Sequence, residues 1–459
     1  MNIAFSSTKR TRKLTRYFIY TAFLACVTLS GNMPVTVFSP RSVQELVSYV
    51  KNNSVPLSIL GAGYSQGGQT QSNYGTQVDM QHMCSIIYLN LVEKQITVPA
   101  RATWKQIQQY IDPYNLSVQV MQSYNDFSVG GSISVNIHGR DLRGQMIETI
   151  REITVLLANG SIVKANRDEH YDLFRAAIGG YGLVGIIIDV TLQLTDNMPI
   201  KLVIDTILKN EYGTFFEQHI RNNPSIQLHN AVIYPHDFTT LISHSWEKTD
   251  DHVTIQERLQ KEKIIHAKEL FLEQLVRRIP LLHGARPSLE PKLYTQPTIV
   301  YRNYEMSHTV KSIEPLVDFL TTSILQEYFI PVKHFESFIN DLERIKKEHR
   351  INIMNISVRF VPENQESFLS YAPTDRFAFV LYIDVLNPKL GFLATEKWTK
   401  KLIDAALSYG GTYYLPYGLY ATKEQFQTSY KNVDEFLAIK KQYDPNNRFV
   451  NTLWQKYMQ

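Results

Sequence analysis

A chain of 459 residues is longer than one hydrophobic core usually supports, since such cores stop growing at roughly 250–300 residues, so two domains are expected. The net charge of +4 misleads: the first 32 residues hold Lys9, Arg10, Arg12, Lys13 and Arg16 and no acid, and without them the chain carries −1. A nucleic-acid footprint is therefore excluded, and two cysteines without C-x-x-C or Cys/His spacing argue against a disulfide framework and a zinc site.

The basic cluster leads into an apolar run from Tyr17 to Leu29. Its length suits the core of an export signal better than a membrane span of about 20 residues. An uncleaved anchor and a segment lying on anionic lipid are the competing readings, and each predicts export or membrane association. Cys26 lies in this run, and Cys84 reads as a small buried hydrophobe.

From Val35 the pattern alternates. Val43, Leu46, Val47 and Val50 recur at helical spacing, with Ser42 or Ser39 as cap. Leu57–Leu60, Gln77–Met80, Ile86–Leu89 and Gln95–Val98 read as strands, and Trp104–Ile111 as a helix. Ile150–Leu157 and Ile162–Ala165 flank Asn159-Gly160, which predicts a hairpin with a type I′ turn. Ile186–Leu194 is a further strand, and Asn197–Pro199 marks a boundary. Beyond it, Gln256–Arg278 predicts a charged amphipathic helix, either solvated or serving as a membrane-touching or lid segment.

Three glycine motifs carry the chemistry. Gly61-Ala62-Gly63-Tyr64-Ser65-Gln66-Gly67-Gly68 follows a strand directly. Glycines there let the backbone turn and approach a ligand, and free N–H groups suit a pyrophosphate. No Gly-Lys-Ser/Thr follows, and Gln66 breaks the nicotinamide fingerprint, so neither a Walker loop nor that fingerprint is present. The second motif runs from Val129-Gly130-Gly131-Ser132 to Asn136-Ile137-His138-Gly139. The third is Gly179-Gly180-Tyr181-Gly182-Leu183-Val184-Gly185, between apolar runs.

The order of these motifs resembles the vanillyl-alcohol-oxidase-like (PCMH-type) FAD-binding superfamily. Asp172-Leu173-Phe174-Arg175-Ala176 before the third motif and the ending Tyr443-Asp444-Pro445-Asn446-Asn447-Arg448-Phe449 fit the same pattern. Within it, the sequence is similar to the flavin subunit of decaprenylphosphoryl-ribose 2-epimerase and, through Glu327-Tyr328-Phe329-Ile330-Pro331, to the sugar-1,4-lactone oxidases. It departs from the first where Tyr417 replaces an expected lysine, and from the second in lacking an H-W-x-K segment.

The resemblance implies an α+β fold with a two-part FAD-binding domain and an inserted substrate (cap) domain. The implied limits are an N-terminal signal or anchor at 1–32, FAD-binding residues 33–198, a cap at 199–410 and a return at 411–459. FAD is expected to lie against Gly61, Ala62, Gly63, Tyr64, Ser65, Gln66, Gly67, Gly130, Gly131, Ser132, Asn136, Ile137, His138, Gly139, Gly182, Gly185 and Ile187. Tyr64 stands where relatives carry a flavin-linking histidine, so non-covalent FAD is expected. The implied activity is oxidation of a CH–OH group of a sugar-like, optionally lipid-linked, small molecule. The alternatives are an aldono-1,4-lactone oxidase and a non-catalytic flavin-binding subunit of an envelope complex. Such chemistry needs a group to receive the hydroxyl proton. His138, Tyr417, Glu327 and Lys423 are the candidates, with Arg302 or Arg359 as an ion-pair partner for Glu327. The electron acceptor is left open, and a reductase partner is compatible with it.

Overall fold

The computed structural model describes residues 36–83, 87–261, 298–310, 321–386 and 388–459. The expected N-terminal segment, Cys26, Cys84 and the greater part of the helix expected at 256–278 lie outside them.

Chain order begins with a small parallel sheet. β1 (Thr36–Phe38) and β2 (Leu57–Leu60) flank β3 (Thr76–Asp79). Between them runs α1 (Val43–Asn52), whose cap is Ser42: its Oγ accepts from Glu45 N at 3.1 Å. Leu46 and Val50 point from this helix into a core with Leu57, Val78 and Phe449.

A second, antiparallel sheet follows in the order β4 (Tyr88–Asn90), β5 (Gln95–Pro99), β9 (Ile186–Asp196), β7 (Ile150–Leu156), β8 (Ile162–Asn166). β6 (Leu116–Val118) pairs with the far end of β9. Helices α2 (Trp104–Ile111), α3 (Val129–Ser134) and α4 (Tyr171–Ala177) connect these strands. The β7–β8 hairpin departs from the expected type I′ turn, which needs two left-handed residues. Only Gly160 is left-handed there, at φ +80, because Leu157 still pairs with Ser161 and leaves three loop residues.

The chain then crosses to an eight-stranded sheet that follows the order β13-β10-β12-β11-β15-β16-β14-β17. These strands are β10 (Pro199–Leu208), β11 (Ile226–Ile233), β12 (Thr240–Lys248), β13 (Ile299–Tyr301), β14 (Thr321–Pro331), β15 (Asn352–Val361), β16 (Arg376–Leu386) and β17 (Thr412–Tyr413). Gln256–Lys261 is irregular rather than helical. Arg258 instead reaches back to Asp112 and Asn115 and stacks over Tyr301.

Two helices, α5 (Phe335–His349) and α6 (Pro388–Ser408), cover one face of this sheet. Strand parity then sorts β14. Gln326 bonds Thr399 of α6 and Tyr328 packs on Phe338 of α5, so the even residues face the helices. The odd residues Ser323, Leu325, Glu327 and Phe329 face the other way, toward the glycine motifs.

The C-terminal residues return to the first sheet. Phe449 bridges β2 at Leu57, with Leu57 N donating to Arg448 O and Val450 N to Leu57 O. The turn before it is organised by Asp444, which accepts from Arg448 N and Phe449 N. Lys440 is buried beside it and donates to Asp444, Leu183 O and Phe449 O. Among the described residues no helix is long and apolar enough to cross a membrane.

Candidate active site

The site is a groove walled by the three glycine motifs. At Gly61 there is no room for a side chain: a Cβ would lie 2.5 Å from Ser128 Oγ. Ser128 precedes α3 but does not cap it with its side chain; its Oγ accepts from Ala62 N at 3.1 Å. The first motif is thereby laid over the second. The third motif closes the narrow end, where Gly182 takes φ +71, a conformation that favours glycine. Gly182, Gly185 and Ile187 wall a chamber of about 70 Å³ with Met80 and Gly130.

The wide end is a cleft of about 250 Å³. Ala62, Gly63, Tyr64, Gln66, Ser132 and Ile137 form one side, and Leu325, Tyr382, Tyr414 and Tyr417 form the other. Chamber and cleft share Gly61, Ser65, Gly131 and Val135, so they make one groove. A narrow, glycine-walled end joined to a wide, aromatic end matches an adenine dinucleotide carrying a planar ring system. A side chain at Gly61 would fill the cradle between them. FAD fits these residues, and when bound it supplies the hydride acceptor.

The titratable groups lie behind the cleft wall. Glu327 and His138 have side chains only 2% and 4% exposed, and Glu327 Oε1 lies 2.5 Å from His138 Nε2. The other carboxylate oxygen, Oε2, lies 3.4 Å from the Tyr417 hydroxyl. Arg302 is spent elsewhere, on Asp141, Ser117 and the carbonyls of Val118 and Gln119. Arg359 is the guanidinium that faces Glu327 and Tyr417; its Nη2 donates to Ser123 Oγ at 3.1 Å. Burial lifts the Tyr417 phenol well above its ordinary value, with the Glu327 charge adding to the rise and Arg359 opposing it. Tyr417 therefore keeps its proton and acts as a hydroxyl.

Sheet register puts Tyr417 there. β17 pairs with β14 through Tyr413 and Tyr328, and Tyr414 N donates to Glu327 O at 3.0 Å. The first glycine motif holds the same segment from the other side. Gln66 N donates to Pro416 O, and the Gln69 amide donates to the carbonyls of Leu415 and Tyr417.

Several expected site residues sit elsewhere. Lys423 is exposed at the start of a short helix and donates to the carbonyl of Gln459, so it is no substitute for a cleft lysine. Asn136 lies behind the wall, because its amide is committed to Gln145 and to Ile147 N while its carbonyl accepts from Tyr371. Gly139 is packed under the Met121 carbonyl, and Gly67 against that of Tyr417. His138 lines neither chamber nor cleft. Conversely, sequence reasoning missed Gln122, Tyr124, Phe127 and Ser128, which line the cleft, and Gln69. The segment 122–128 has no periodicity, and its one signal is its position before Val129-Gly130-Gly131.

Comparison with known proteins adds two family matches. Residues 33–166 match an FAD binding domain family. Residues 190–458, more than half of the chain, match the family described as D-arabinono-1,4-lactone oxidase. The chain belongs to the D-arabinono-1,4-lactone oxidase family. It is an FAD-dependent oxidoreductase that acts on CH–OH donors. Relatives of this family member differ in how far they match. A decaprenylphosphoryl-beta-D-ribose oxidase from Mycolicibacterium smegmatis is 23% identical over 86% of this chain and 87% of its own length. An L-gulonolactone oxidase from Bos taurus is 25% identical over 36% of this chain and 38% of its own. A D-arabinono-1,4-lactone oxidase from Debaryomyces hansenii is 26% identical over 39% of this chain and 36% of its own. The match thus spans most of the first relative and under two fifths of each lactone oxidase.

Proposed function

We propose that this flavoprotein oxidises a CH–OH group of a small sugar-like molecule to a carbonyl. The observation that carries the reading is the Tyr417 hydroxyl in the cleft wall, backed by the buried Glu327 carboxylate. Alcohol oxidation releases a proton as well as a hydride, and this pair is a receiver for the proton. Tyr124, Phe127 and Tyr382 offer ring faces to a sugar. An aldono-1,4-lactone is one candidate, in line with the names of the lactone oxidase relatives. A lipid-linked sugar is the second, in line with the ribose oxidase relative. Leu386, Phe392 and Leu393, which follow Tyr382 in the sequence and are 61%, 37% and 79% exposed, offer apolar surface to a tail.

Anaerobic mixing with a panel of aldono-1,4-lactones, alditols and a lipid-tailed pentosyl phosphate tests the proposal. Bleaching of the visible flavin band by at least one member supports it and names the class. An unchanged spectrum across the panel, in protein that dithionite still bleaches, contradicts it.

A further inference from the structure

We infer that the hydroxyl proton of the substrate leaves the cleft through Tyr417, which passes its own phenolic proton to Glu327, while His138 holds that carboxylate in position. The inference rests on the proposed oxidation and concerns the route its proton takes.

The geometry separates the base from the substrate. Glu327 and His138 do not line the cleft, whereas Tyr417 does. Tyr414 also lines it, but its hydroxyl is donated to Val135 O at 2.9 Å and so faces away from Glu327. The Tyr417 hydroxyl instead meets the carboxylate. The distance of 3.4 Å is long for an O–H···O bond, as catalytic contacts are before substrate closes on them.

The step balances. As the substrate O–H bond breaks, its proton goes to the Tyr417 oxygen, and the Tyr417 proton goes to Glu327 Oε2. The carboxylate becomes a carboxylic acid and Tyr417 is restored. FAD, when bound, would supply the acceptor for the hydride of the same carbon, so that the C–O bond becomes a carbonyl. No further reactant is required.

His138 is a positioning residue. Its Nε2 meets Oε1, which turns Oε2 toward Tyr417. Its ring is packed among Phe329, Tyr371 and Tyr414 at centroid separations of 5.5–6.0 Å, so it cannot swing away. Nδ1 has no hydrogen-bond partner among the described residues, so Nε2 is the ring nitrogen that holds the carboxylate. The groups around Glu327 complete the account. Arg359 faces it from β15, Tyr414 and Tyr417 from the return segment, Tyr371 from the loop before β16, Tyr181 from the third motif, and Tyr430 from just after the helix Lys423–Ser429. Burial raises each of these phenols well above its ordinary value, so the relay ends at Glu327 rather than at another tyrosine.

The test uses the full holoenzyme with D-arabinono-1,4-lactone and D-arabinitol as probes, following the pH profile of flavin reduction. The relay predicts that the wild type has an acid limb, losing rate toward low pH. Tyr417→Phe should lose about a hundred- to ten-thousand-fold in the reduction rate with little change in KM, and its profile should become flat. A Tyr417→Phe enzyme that keeps the acid limb overturns the relay, because Glu327 would then meet substrate directly. His138→Gln should move the limb without flattening it; an unmoved limb overturns its positioning role. A second readout needs no substrate. With 3-fluorotyrosine at position 417, the fluorine resonance should titrate in the wild type and lose that titration in Glu327→Gln. A resonance indifferent to pH, or to Glu327→Gln, overturns the coupling even if neither probe is a substrate.

Discussion

Glu327 is a carboxylate taken almost wholly out of water, which costs several kcal/mol unless partners compensate it. His138 at 2.5 Å and Arg359 opposite are those partners, and the residue that remains to react is Tyr417. Tyr64 belongs to the same scale. It packs edge-on against Phe127, with ring centroids 4.7 Å apart, in the place where a flavin-linking histidine would stand. Acid precipitation is therefore expected to release the flavin to the supernatant; colour left in the pellet would show a covalent link. His229 makes a prediction away from the site. Burial, aided by His244, lowers its pKa from 6.5 to about 3, and its ring is held between Tyr212 and Ser245. The unfolded chain binds a proton there below 6.5 and the folded one does not until about 3. Stability from this site is thus complete above 6.5 and declines as pH falls toward 3. Urea midpoints measured from about pH 7 down to 4 should fall more gently in His229→Gln than in the wild type. The glycines of the site were legible because close backbone approach demands that residue locally. Asn136 misled for the opposite reason: it stands in the right motif, but its amide is used up by Gln145 and Ile147, one of them nine residues away.

At the scale of elements, β14 decides the chemistry by parity. Its odd residues face the cleft side and its even residues reach α5 and α6, so a register slip by one would turn Tyr328 toward the return segment in place of Glu327. The strand was legible in part through its Glu-Tyr-Phe motif, but its two faces were not, since nothing local says which side carries helices. The meeting of Glu327 with Tyr417 spans 90 residues and exists through the β14–β17 pairing. Gln69 ties that return segment to the first glycine motif. Gln69→Ala should leave a folded yellow protein whose reduction rate drops about tenfold or more, because small misplacement of a reacting group is costly. Stopped-flow reduction checks it. The C-terminal turn makes a stability prediction. Lys440→Met leaves Asp444 buried without its cation, and breaking such a pair costs about 3–5 kcal/mol. Equilibrium unfolding followed by tryptophan fluorescence should show it, and a change below about 1 kcal/mol would deny Lys440 this role.

The whole molecule brings three sheets together around one groove. The first glycine motif follows β2 of the small parallel sheet, the second and third belong to the antiparallel sheet and its helices, and the aromatic wall and Glu327 lie largely on the eight-stranded sheet and its return segment. The last residues then lock back onto β2. Sequence order already carried the cofactor side, because each glycine turn is local. The substrate side was far less visible, because it is assembled from Gln122–Ser128, β14, β16 and the return segment, which meet only in the folded chain. The central claim joins the two sides: a flavin-holding groove backed by a buried carboxylate that receives the proton of a sugar-like alcohol. Anaerobic flavin reduction in the wild type and in Glu327→Gln, with whichever sugar-like alcohol bleaches the wild type, tests it most directly. The account predicts that the variant keeps the full flavin spectrum and is reduced at least about a hundredfold more slowly. A variant reduced as fast as the wild type would contradict it.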